Sequence, residues 1–484
     1  MIRASYTSQT NPQFRILSQD QIQEIHLAAL KVLNRIGVEI PNTDALSLLK
    51  EAGADVSGTR ARIPPYLVEE ALESAPSTVM LYTRDGRPAL HLEGRNVYFG
   101  TYGTAPYTYN PYTGERQLTT KQDMADAARI CDSLSNVDWA MPMGVPADCP
   151  IPTADRHQFH AAILNQRKPL IASAYSLAGL ADIVEMASVI AGGLEALRLR
   201  PFIGTPIDPS SPLRIGEAVA GKLLYMAERG LPIILNPMPM CSGTVPSTMA
   251  GNLVVTAAED LCGLVIAQTK RKGTPVVLGG VLTIMDMGTG VCTYGAPELS
   301  MMMAAFAELA QYYQIPMYGT AGCSNSKVVD QQAAIESTIS ILTTALSGAN
   351  LVHDIGVVDN AMTVSLEALV MCDEIIAMVK RIMGGIEINQ ETLAVEVLEK
   401  VGPGGHFLSE EHTLRHFKEH YRSKLIDRQN YDAWVETGAL TMGDRMKAKV
   451  QHILAEYQPE PLPEDVQHEL ERIVRRADEK ATDT

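Results

Sequence analysis

The chain has 484 residues, 46% hydrophobic and 20% charged, enough for one large core with additions or for two or three domains. A formal net charge of −16 argues against a nucleic-acid or anionic-membrane partner, because either needs clustered Lys and Arg to displace counterions. No run reaches the roughly 18 uninterrupted apolar residues of a membrane span, and "MIRASYTSQTNPQFRILSQ" lacks the layout of a secretion signal, so a cytoplasmic protein is expected.

In chain order, Ile22, Ile25, Ala29, Leu33 and Ile36 recur at helical spacing after Ser18 as N-cap, with Gly37 as the stop. A short helix follows over about 43–52, and "PPYLVEEALESAP" predicts a third. Residues 1–95 therefore read as an N-terminal helical extension.

From there apolar runs recur at 97–101, 137–144, 169–175, 201–206, 232–236, 275–280, 316–321 and 351–355, alternating with helical patterns. Short continuous apolar strands between helices imply parallel pairing buried on both faces. Eight such units over 96–385 fit a closed (β/α)8 TIM barrel. An open doubly wound sheet is the alternative; it is disfavoured because no GxGxxG follows the first strand. Five strands are also entered through the same residue-then-Pro step, as at Lys168-Pro169 and Ile315-Pro316. The remainder, 386–484, is charged and helical and reads as a C-terminal helical cap. The Met-rich stretch "LSMMMAAFAELA" faces either the barrel or a second subunit, and a homo-oligomer is expected.

A barrel builds its site from the loops after the strands. Those tips are rich in small residues, hydroxyls and Tyr and poor in charge. Tyr98, Tyr102, Tyr107, Tyr109 and Tyr112 fall in the first tip, and Tyr175, Tyr294 and Tyr318 lie at others. Tyrosine faces suit a quaternary ammonium, which offers no hydrogen bond and is held by cation–π attraction; a Tyr-rich hairpin is equally a half-buried surface structure. His353, beside Asp354 after the eighth strand, is either a carboxylate anchor or a core histidine, and Asp286 carries a similar ambiguity. His412, His416 and His420 recur every four residues, but no HExxH order accompanies them and a polar surface helix is expected rather than a metal site. Seven scattered cysteines without CxxC spacing point to a reducing compartment, and Cys323 reads as a small wall residue.

The segments "GGVLTIMDMGTGVCTYGAPE", "IPMYGTAGCSNSKVVDQQAAIES", "GANLVHDIGVVDNAMTVSLEALVMCDEI" and "GPGGHFLSEEHTLRHF" resemble the trimethylamine methyltransferase family of corrinoid-dependent (β/α)8 enzymes. Members acting on trimethylamine carry pyrrolysine, whereas this chain has standard residues throughout, so it resembles the branch that demethylates quaternary amines such as glycine betaine, proline betaine and carnitine. The resemblance implies a cobalt(I) corrinoid, cobalamin-like, brought by a separate corrinoid protein and attacking an N-methyl. Expulsion of a neutral tertiary amine needs no general acid, which matches tips poor in titratable groups. The expected site comprises Tyr98, Tyr102, Tyr175, Tyr294 and Tyr318 as cage faces and His353 as carboxylate anchor. Gly319, Thr320 and Gly322 would let backbone approach the ligand. The rival classes are a barrel lyase or decarboxylase using Asp286 or His353 as base, and a non-catalytic betaine-binding barrel.

Overall fold

The computed structural model describes residues 12–482; the first eleven residues of the N-terminal extension lie outside them. Ser18 caps the first helix, Gln19–Lys31, in a reciprocal capping box with Gln21. That helix runs on into a wider π turn, Val32–Ile36, whose last residue, Ile36, is exposed rather than buried. Helices Thr43–Ala52 and Pro65–Ser74 follow as read from the sequence.

The extension is not wholly helical. Val79–Tyr82 and Pro88–Leu92 form an antiparallel hairpin whose Val79, Leu81, Leu90 and Leu92 are buried together with Trp139, Ile171, Ile234, Val277, Tyr318 and Leu351 from the barrel strands. This hairpin therefore plugs the barrel floor. Its alternating pattern was hidden in the sequence by Pro88 and by a turn of charged residues.

Seven strands pair in parallel: β1 (Tyr98–Thr101), β3 (Leu170–Ile171), β4 (Ile203–Ile207), β5 (Ile233–Leu235), β6 (Val276–Gly279), β7 (Met317–Thr320) and β8 (Leu351–Ile355). Between β1 and β3 the expected strand over 137–144 shrinks to a rung, β2, of Trp139 and Ala140, which bridge in parallel to Gly100 and Leu170. Beyond that rung the Thr101 hydroxyl replaces the ladder: it donates to the Met141 carbonyl and accepts from the Met141 N–H, both at 2.8 Å. Since β8 pairs with β1, the sheet closes on itself in chain order. Gly100 is required here, because a Cβ would lie 2.2 Å from the Trp139 ring.

A helix follows each strand: α1 (Lys121–Ser133), α2 (Ala154–Leu164), α3 (Leu177–Ala191), α4 (Glu217–Arg229), α5 (Met249–Lys270), α6 (Pro297–Tyr313), α7 (Gln331–Ser347) and α8 (Leu366–Met383). α5 is long and apolar enough to cross a membrane but is mostly buried within the protein. α6, the Met-rich stretch, packs Met302 and Met303 into the core and leaves Met301 partly exposed. Two small sheets crown the strand ends. One joins Tyr107–Tyr109 and Arg116–Leu118 to Val357–Val358 and Thr363–Val364; the other joins Met240–Cys241, Thr283–Asp286 and Val291–Cys292.

Candidate functional site

Alternation along a strand points residues two apart to one side, so Tyr318 and Thr320 on β7 share the barrel interior with Leu351 and His353 on β8. The Tyr318 and His353 rings stack at 4.1 Å with an interplanar angle of 2°. Thr320 is buried, and its hydroxyl sits 3.1 Å from the Gly280 carbonyl and 3.0 Å from His353 Nε2. The single Thr320 proton goes to the carbonyl, so the network assigns Nε2 as donor to the hydroxyl. His353 Nδ1 lies 2.5 Å from Asp354 Oδ1. Both ring nitrogens are thus committed, and one ring face is covered.

Asp354 is where the barrel departs from regularity. On a plain strand it would face outward, away from His353. Instead it has φ +83, a left-handed value costly for a residue with a Cβ. The β8–β1 register also slips between Val352 and Ile355, so that three steps on β8 oppose two on β1. A bulge of this kind re-aims a side chain, here bringing the carboxylate alongside the His353 ring. Asp354 has no exposed surface, and its Oδ2 has no hydrogen-bond partner among the described residues. A buried acceptor left unpaired costs about 1–3 kcal/mol, more when charged.

Around that carboxylate lie Tyr102, Tyr294, Tyr318 and Cys323, each of which feels its charge. Burial first, then the charge of Asp354, pushes all four groups above their usual values, so the phenols and the thiol stay protonated. That shift disfavours a thiolate nucleophile at Cys323.

The far side of the mouth is open. Tyr175 and Asp208 are exposed, and Ser173 and Asn236 partly so. Desolvation raises the Asp208 carboxyl, against a 2.8 Å hydrogen bond from Asn236 and the charges of Lys222 and His353. Lys222 is buried on α4 and donates to the Ala174 carbonyl at 2.7 Å; desolvation lowers it, opposed by Asp208 and Asp155.

Of the residues expected from the sequence, Tyr102, Tyr294, Tyr318, Thr320 and His353 converge near Asp354. Others do not. Tyr98 begins β1 at the floor, where its hydroxyl accepts from the His91 N–H, so it cannot be a mouth face. Tyr175 sits exposed on the open rim. Gly319 points outward: a Cβ there would lie 2.9 Å from Ala349 and 3.3 Å from Thr344 on α7, so its smallness serves helix packing. Gly322 has φ +91 and abuts Ile355, which makes it a turn residue. His353, tied on both nitrogens, is a positioning group in place of a carboxylate anchor. Asp286 accepts from the Gly288 and Thr289 N–H groups in an exposed hairpin turn, which removes it as a base. The sequence places Asp208 and Asp354 among the few titratable groups at the strand tips without giving them a role, and gives no sign of Asn236 or Lys222 as site members. The one legible signal was the pair of acids after β4 and β8.

Residues 2–481 match the model of the family described as Trimethylamine methyltransferase (MTTB). A trimethylamine methyltransferase MttB of Desulfitobacterium hafniense is 35% identical, covering 96% of this chain and 94% of that protein. A glycine betaine methyltransferase from another strain of that species is 33% identical, covering 96% and 97%. The Methanosarcina barkeri trimethylamine methyltransferase MttB is 31% identical over 98% and 97%. Among solved structures, the Methanosarcina barkeri monomethylamine methyltransferase MtmB superposes with a TM-score of 0.54 at 12% identity, covering 92% of this chain and 88% of that one, a likeness of fold. On a match that spans nearly its whole length, the chain belongs to the trimethylamine methyltransferase family.

Proposed function

We propose that this protein transfers a methyl group from a quaternary amine of the glycine betaine type to a corrinoid carried by a partner protein. The observation that carries this reading is the Asp354 carboxylate, buried and strained, with one oxygen unpaired among the described residues and its charge felt by Tyr102, Tyr294 and Tyr318. A buried carboxylate with an oxygen that no described residue pairs, next to aromatic rings, suits a fixed cation: charge is balanced by the carboxylate, and methyl groups pack on ring faces. The glycine betaine methyltransferase relative acts on such a compound by name.

The corrinoid would supply a cobalt(I) nucleophile at the methyl carbon. Everything else falls to the chain. Tyr102 and Tyr294 offer ring surface, Asp354 fixes the nitrogen, and the Tyr318–His353–Thr320 stack holds Asp354 in its bulge. Catalysis is then mainly positioning and exclusion of water. Among the described residues around Asp354, both His353 nitrogens are engaged by Thr320 and Asp354 and the phenols are held as weak acids, so none is placed to protonate a leaving amine. That favours a methyl donor already charged, whose leaving group departs neutral. Access for an outside corrinoid is open on the β3 to β5 side, at Tyr175, Asp208 and Met238.

The test is calorimetry with glycine betaine, carnitine, proline betaine and tetramethylammonium, followed by loss of the cob(I)alamin absorbance when enzyme and amine are mixed with it. Binding with cob(I)alamin consumption supports transfer. Binding without consumption favours a passive carrier, and failure of every quaternary amine to bind overturns the reading.

A further inference from the structure

The segment after α8 holds a second constellation, remote in sequence from the barrel mouth. His412 and His416 lie four apart on the short helix Glu411–His416, which puts both on one face, with ring centroids 4.3 Å apart. Glu391, on the one-turn helix Gln390–Leu393, brings a carboxylate to the same point from an earlier stretch of chain. One ligand atom from each of the three residues falls within 4.8 Å of the others. His416 is the best oriented: Nε2 faces Glu391 Oε1 at 3.2 Å, while Nδ1 is 2.6 Å from Glu419 Oε1. A carboxylate on the far ring nitrogen is the arrangement that fixes the tautomer of a metal-binding histidine and raises its basicity.

The helices of the same segment add little to the apolar core. Its helices Gln390–Leu393, Val395–Val401, Glu411–His416 and Tyr431–Glu436 bury no residue, and Leu393, Val395, Leu398, Leu408 and Leu414 are each more than half exposed. A stretch without a core of its own is commonly held by a staple such as a structural metal.

We propose that Glu391, His412 and His416 bind a divalent transition metal of the zinc type, with Glu419 orienting His416 from behind. Two imidazoles and one carboxylate are a borderline donor set suited to Zn2+ or Co2+, with a fourth position left for water or another ligand. The ion would clip residue 391 to residues 412 and 416 and so order the intervening loop. Arg415 Nη1 also lies 3.0 Å from Glu391 Oε1, so the metal competes with that ion pair for the carboxylate or takes its other oxygen. The rival arrangement is a plain imidazolium held between Glu391 and Glu419.

The experiment uses the full chain, stripped with a chelator and then given one equivalent of Co2+ or Zn2+. The expected result is a visible Co2+ d–d absorption band and about one equivalent of Zn2+ retained after dialysis. His412→Ala and His416→Ala should each abolish retention, Glu419→Gln should weaken it about 10- to 100-fold, and His420→Ala, on the same stretch but outside the cluster, should leave it intact. The wild-type chain decides on its own if a variant fails to fold: no Co2+ band and no retained Zn2+ leave the imidazolium and overturn the proposal. Retention unchanged in both His412→Ala and His416→Ala overturns it as well, since the metal would then sit elsewhere.

Discussion

Asp354 concentrates three costs in one residue: a left-handed backbone, complete burial and a carboxylate oxygen unpaired among the described residues. Structures retain such strain where the surrounding fold over-determines it. Asp354→Asn keeps the shape and removes the charge, so it should weaken quaternary-amine binding by one to two orders of magnitude while leaving thermal stability equal or higher. Calorimetry beside a melting curve checks this; unchanged affinity would show that the charge is not used. A second residue-scale prediction concerns the carboxylate of a betaine. His353 has no nitrogen to spare for it, whereas Lys222 lies beside Ala174 and interacts with Asp208. Lys222→Met should therefore lower affinity for glycine betaine more than for tetramethylammonium, and equal losses for the two ligands would refute the assignment. None of this was readable in "HDIG", because a positive φ at an ordinary residue and a one-residue bulge leave no mark in composition or periodicity.

At the scale of elements, the sequence was informative wherever apolar runs were long. β4 to β8 fall within two residues of the expected runs, and Ser18 caps where expected. β2 failed because the Thr101 side chain carries part of its pairing, and the floor hairpin because its strands are short and enclose a proline. Tyr98 was misplaced because it opens its strand, at the end away from the mouth, yet was grouped with the tip that follows that strand. α5 illustrates what burial does inside an element. Glu259 has no exposed surface and accepts from the Leu213 N–H at 2.7 Å and the Ser211 hydroxyl at 2.8 Å. Burial nonetheless raises its carboxyl to about 7, outweighing both hydrogen bonds. A folded value above the unfolded one means that its stabilising contribution is complete below about pH 4.5 and is lost as pH rises through 7. The wild-type melting temperature should thus fall between pH 5 and pH 8, with Glu259 responsible for a loss on the order of 2–3 kcal/mol. Glu259→Gln should flatten that fall, leaving the part due to neighbouring Asp260, whose carboxyl is raised in the same direction. An equally steep fall in the variant would locate the titration elsewhere.

Across the whole molecule, the last helix, Glu464–Thr482, returns to the barrel and packs on α3 and α2. Its apolar face, with Leu470 and Ile473 fully buried, is joined by Arg476 reaching Asp182 at 3.0 Å and Glu185 at 2.6 Å, and by His157 facing Asp478 at 3.1 Å. Half-exposed ion pairs contribute roughly 0–1 kcal/mol each, whereas truncating a buried leucine costs about 2–5 kcal/mol. Leu470→Ala should accordingly destabilise the protein several-fold more than Arg476→Ala in chemical denaturation; the reverse order would mean that the ionic network dominates the docking.

The whole-molecule claim is that a closed barrel presents a precharged amine, held at Asp354, to a cobalt centre arriving from outside. Single-turnover mixing of the enzyme with cob(I)alamin, in the presence of either glycine betaine or trimethylamine, tests it most directly. The account predicts rapid loss of the cob(I)alamin absorbance with the quaternary amine, little with the tertiary one, and a large slowing by Asp354→Asn. Consumption driven by trimethylamine but not by any quaternary amine would contradict it.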